Sequence, residues 1–73
     1  MPYVNIRITR DGVTAEQKQQ LIAGTTELLV RVLNKNPDHT FVLIDEVDTD
    51  NWGVGYETTT AYRARAAAAK AAG

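Results

Sequence analysis

From Pro2 to Thr9 apolar and polar side chains alternate without a break: Val4, Ile6 and Ile8 fall on one face, Tyr3, Asn5, Arg7 and Thr9 on the other. A period of two in β-branched residues predicts a strand with one buried face. Arg10-Asp11-Gly12 breaks the pattern. Thr14-Ala15-Glu16-Gln17 then fits a capping box, in which the Thr and Gln side chains satisfy the free amides of a helix start. Leu21, Ile22, Thr25, Leu28, Leu29, Val32 and Leu33 follow at helical spacing, opposite Lys18, Gln19, Glu27 and Arg31. The period has switched from two to about 3.6, which predicts one amphipathic helix from about Thr14 to Leu33.

Asn34-Lys35-Asn36-Pro37 ends that helix, because proline lacks the amide donor and disfavours helix just before it. Gly24, beside Ala23 inside the helix, predicts close packing against a sheet. Thr40 to Val47 reads as a second, mostly buried strand, and Asp48-Thr49-Asp50-Asn51 as a turn cluster. Trp52-Gly53-Val54-Gly55-Tyr56 reads as a short strand or hairpin with bends that glycine permits. Two strands joined by a long helical crossover make a right-handed parallel βαβ unit, so the fold class is α+β with a short C-terminal hairpin. Residues 1–63 form the domain. Residues 64–73 are an alanine-rich tail, and the stretch from Tyr62 onward is expected to be partly helical and frayed.

A sheet of two strands under one helix is not stable alone. The chain has 73 residues and no cysteine, so it cannot staple itself with disulfides, yet 44% of its residues are hydrophobic. A short apolar chain without staples gains its missing core by self-association. A homo-oligomer whose sheet is completed by dimerisation is therefore expected. Eight basic residues against nine acidic ones give a net charge of −1, which argues against a nucleic-acid surface. No apolar run approaches the ~20 residues of a membrane span, and the amino terminus lacks a secretory pattern. The expected location is the cytoplasm.

Most catalytic constellations are missing. There is no thiol nucleophile, and His39 alone cannot build a metal site. Asp45 and Glu46, adjacent on a strand, point to opposite faces and make a poor acid–base pair. The remaining group is the amino terminus. Removal of Met1 would give Pro2 a free secondary amine, held rigidly by its ring and by the strand behind it. An ordinary α-amino group titrates near pH ~8, and an apolar wall or a nearby cation lowers that value. A neutral proline can then move a proton between carbon and oxygen as a general base and acid.

Met1-Pro2-Tyr3-Val4 opening a strand, Thr14-Ala15-Glu16-Gln17-Lys18 opening the helix, and Ile44-Asp45-Glu46-Val47 followed by Asn51-Trp52-Gly53-Val54-Gly55 resemble the 4-oxalocrotonate tautomerase family. The resemblance covers about residues 2–63. It implies a tautomerase fold in which two βαβ units pair and dimers assemble into a homohexamer. It also implies keto-enol tautomerisation of a small unsaturated 2-oxo acid without metal or organic cofactor. Pro2 matches the catalytic proline, and Trp52 falls where the family has an aromatic pocket wall. The family's two substrate-binding arginines fall on Val13 and Phe41, so Arg10, in a loop one residue longer, is the candidate replacement cation. Arg63 matches a basic residue near the family's carboxyl end, and Tyr56 replaces a glycine. These departures keep the tautomerase class and put a dicarboxylate substrate in doubt. Two alternatives stay open: a non-catalytic oligomeric binding module on the same fold, and a hydratase or dehalogenase of unsaturated acids.

Overall fold

The computed structural model of the protein describes residues 1–72. Its elements are β1 (Tyr3–Thr9), α1 (Ala15–Leu33), β2 (Phe41–Val47), β3 (Gly53–Val54), β4 (Glu57–Thr58) and α2 (Thr59–Ala72), with single 3-10 turns at Pro37–His39 and Thr49–Asn51. β1 and β2 pair in parallel with Tyr3 opposite Phe41, Arg7 opposite Asp45 and Thr9 opposite Val47. The expected βαβ unit is present. α1 packs on β2, and a small antiparallel hairpin, β3 with β4, follows it.

Local chemistry fixes the ends of α1. The Thr14 hydroxyl accepts from the Gln17 amide at 3.1 Å, and the Gln17 side-chain oxygen accepts from the Thr14 amide at 2.9 Å. Asn34, at φ 54°, closes the other end in the left-handed conformation that asparagine tolerates. Its amide donates to the Val30 carbonyl at 2.9 Å. The helix therefore stops three residues before Pro37, which instead opens the 3-10 turn. In the hairpin, Gly55 takes φ 62° at the first turn position, where a two-residue turn needs a residue free of Cβ strain.

Side chains on the sheet divide as the alternation requires. Glu46 faces α1, where Lys18 Nζ lies 2.6 Å from its carboxylate. Asp45 faces the other way and accepts from Asn5 at 2.9 Å and Arg7 at 3.3 Å. That second face carries no covering layer. Tyr3 (61% exposed), Phe41 (50%) and Leu43 (48%) lie open on it.

Three sequence expectations are corrected here. β2 is not mostly buried within one chain, since every second residue faces the uncovered side of the sheet. Gly24 is not closely packed: a Cβ built there meets nothing within 4 Å. The C-terminal stretch is a continuous helix that already begins at Thr59, where the Thr58 hydroxyl accepts from the Ala61 amide at 3.1 Å. A capped start and high-propensity alanines explain that continuity.

Among the described residues no apolar side chain is buried, and Thr59, at 5% exposure, is the one buried polar residue. The radius of gyration is 16.8 Å, against about 11 Å for a compact domain of this length. The accessible surface is 5593 Å², roughly 1,100 Å² above what a compact monomer of this mass exposes. No helix among the described residues is long and apolar enough to cross a membrane.

Candidate functional site

Three segments meet at the C-terminal end of β1: the Arg10–Val13 loop, the hairpin from Trp52, and the first turns of α2. Between them lies an open recess of about 620 Å³. Ile8, Val13, Trp52, Val54 and Tyr62 supply its apolar wall; Arg7, Asp11 and Arg63 supply its charged side. A neighbouring groove of about 490 Å³ shares Arg7 and Trp52 and adds Asp45, Glu46 and Asn51. Trp52 is half-buried and is the wall common to both. Its position is set by its own carbonyl, which accepts the Thr59 amide at 2.7 Å and the Thr59 hydroxyl at 2.8 Å.

The charged side is organised by a fork. Arg63 Nη1 donates to Asp11 Oδ1 at 2.5 Å and Nη2 to Oδ2 at 3.3 Å. Two parallel charge-assisted bonds of this kind fix orientation as well as charge. The Thr9 hydroxyl also donates to Asp11 and accepts weakly from Arg63 at 3.4 Å. These bonds, led by the one from Arg63, hold the Asp11 carboxyl down at about 2 and lift the Arg63 guanidinium above its ordinary value. Asp45 is likewise lowered, first by the bond from Asn5 and then by Arg7.

Arg63 and Trp52, both named from the sequence, line the same recess. Arg10 lies beside them without lining the recess. Its amide extends the ladder to the Val47 carbonyl at 2.8 Å, and its guanidinium reaches the Glu46 carbonyl at 3.3 Å and Asp48 at 3.6 Å. Pro2 is not brought to this end at all. Its carbonyl accepts from the Phe41 amide at 3.0 Å at the start of the sheet, and the strand between Pro2 and Arg10 spans about 26 Å at ~3.3 Å per residue. Asp11 was missed by sequence reasoning; the one available signal was an acid in the loop immediately after Arg10. Among the described residues no group of three or more His, Cys, Asp or Glu is arranged to hold a metal ion.

The family model described as "Tautomerase enzyme" matches residues 2–62. A probable tautomerase, K2, of Dickeya dadantii is 68% identical over 66 residues, covering 90% of this chain and 98% of that one. Among solved structures, DmpI from Helicobacter pylori superposes with a TM-score of 0.80 at 48% identity, over 86% of this chain and 97% of that one. A 4-oxalocrotonate tautomerase isozyme from Methylibium petroleiphilum gives 0.81 at 31% identity, over 88% and 98%.

Proposed function

Because this chain belongs to the tautomerase family and is an isomerase of that kind, we propose that Pro2, freed by removal of Met1, is its general base and acid, and that the substrate is a small unsaturated 2-oxo acid. The neutral Pro2 nitrogen accepts the hydroxyl proton of the enol. The resulting ammonium delivers a proton to carbon 3 as carbon 2 becomes a carbonyl. One proton leaves oxygen, one arrives at carbon, and the formula is unchanged. Trp52 walls the site and disfavours charge on the amine, Arg10 on the adjoining loop takes the substrate carboxylate, and Arg63, held by Asp11, borders the substrate on the charged side of the recess. The reaction calls on no metal or organic cofactor.

The observation that supports this reading most is the separation of its parts. Pro2 and the recess stand at opposite ends of β1, so no single chain can hold a substrate against both. The uncovered sheet face, with Tyr3, Phe41 and Leu43 open on it, supplies the remedy. A second copy laid against the sheet covers that face and carries its own Pro2 toward the first copy's recess. The sheet is completed by dimerisation, and dimers assemble into a homohexamer. Assembly and catalysis are then one requirement, with each site drawing residues from more than one chain.

The test is ketonisation of phenylenolpyruvate by protein whose intact mass shows Met1 removed, beside the Pro2→Ala variant. Loss of a positioned general base lowers kcat/KM by about 10²–10⁴-fold, with the assembly unchanged. Equal rates in the two proteins would remove Pro2 from the mechanism.

A further inference from the structure

We infer that Asp11 sets the charge this site accepts: by occupying Arg63 it leaves the recess electrically neutral, so that enols of 2-oxo monocarboxylates with an apolar tail are selected over dicarboxylates. The inference rests on the tautomerase reading above and names the substrate class within it.

Each cation in the lining has its acid beside it. Arg63 is held by Asp11 through both guanidinium nitrogens, and Arg7 is held by Asp45 at 3.3 Å. A second substrate carboxylate entering here would have to break the two-bond fork and would then face the displaced Asp11 anion at close range. Like charges so placed repel, and the entering carboxylate gains from Arg63 only the two charge-assisted bonds that Asp11 gives up. Asp11 stays ionised far below neutral pH, so protonation gives no way round this at working pH. Arg10 differs. Its contact with Asp48, at 3.6 Å, is the longest of the ion pairs, and both side chains are more than half exposed. An exposed pair of that length costs little to exchange, which leaves Arg10 able to take one carboxylate. Apart from the Thr9 and Thr59 hydroxyls, which are already donated to Asp11 and to the Trp52 carbonyl, the rest of the recess is apolar: Ile8, Val13, Trp52, Val54 and Tyr62 offer a hydrophobic tail its burial and a second charge nothing.

The matched probes are phenylenolpyruvate and its para-carboxylate, which differ only by the second carboxylate. For processed wild-type protein, kcat/KM is expected to be at least tenfold higher for the first. Asp11→Asn frees Arg63 and is expected to raise the para-carboxylate to phenylenolpyruvate ratio about tenfold. The double variant Asp11→Asn with Arg63→Gln returns the ratio to the wild-type value, because the freed cation is gone. A wild-type protein that prefers the dicarboxylate overturns the inference even if Asp11→Asn does not fold. A ratio unmoved in a folded Asp11→Asn variant overturns it too. Turnover of neither probe by processed wild-type protein instead removes the tautomerase reading, and this inference with it.

Discussion

The carbonyl of Trp52 takes two hydrogen bonds from Thr59, one from its amide at 2.7 Å and one from its hydroxyl at 2.8 Å. The residue that walls the recess is thereby fixed to the first residue of α2, across the hairpin that separates them. Thr59 is also the one buried polar residue among those described. Thr59→Val keeps the shape and the amide bond but removes the hydroxyl donor. It should lower stability by about 1 kcal/mol, read as a lower denaturant midpoint, and should loosen the near-ultraviolet dichroism of Trp52. An unchanged midpoint would mean the hydroxyl contributes nothing to that anchor.

The start of α1 rests on a reciprocal pair of bonds between Thr14 and Gln17. Thr14→Ala removes the cap acceptor and should cost about 1 kcal/mol, with Thr14→Ser recovering most of it. Urea unfolding of the three proteins under one set of conditions measures this.

Asp11 gives a pH dependence with a definite sign. Its carboxyl lies at about 2 in the folded chain, chiefly through the Arg63 bond, against an ordinary 3.8. A depressed carboxyl stabilises the fold fully above the unfolded value. That contribution fades as pH falls from about 4 and is gone below about 2. Carboxyl ¹³C titration of Asp11 should show the low midpoint, returning toward the ordinary range in Arg63→Gln. A midpoint near 3.8 in the wild type would show that the fork is not formed in solution.

Leu43, half exposed on the uncovered sheet face, tests whether a second copy lies there. The wild type should sediment as a multiple of its 8.0 kDa chain. Leu43→Lys buries a charge without a partner in any such interface, so it should dissociate the assembly and abolish activity together. A Leu43→Lys protein that stays assembled and active would place the interface elsewhere.

Much of the fold was legible because its signals are local. The alternation from Val4 to Ile8 marks β1 and its more covered face, half-buried in one chain, and Thr14 with Gln17 marks the start of α1 to within a residue. The separation of Asp45 from Glu46 onto opposite faces followed from the same period of two. What was not legible depends on partners far off in the chain or outside it. The Arg63–Asp11 fork joins residues 52 positions apart, and no spacing rule links them, so the sequence offers Arg63 as a candidate without its partner. The apolar content of β2 read as burial. It marks both faces of a strand, and a single chain covers only one. Gly24 read as a close approach for the same reason, and within one chain nothing approaches it. The alanine-rich end lacked a large apolar stripe and so read as frayed, whereas the Thr58 cap and alanine propensity sustain a helix from Thr59.

The central claim is that the free nitrogen of Pro2 does the chemistry, and Met1 offers the most direct test of it. While Met1 is attached, that nitrogen is a tertiary amide and cannot accept a proton. Preparations with different extents of Met1 removal, quantified by intact mass, should show phenylenolpyruvate turnover rising in proportion to the fraction of chains that begin at Pro2, and approaching zero when none do. Full turnover by protein that retains Met1 would contradict the account.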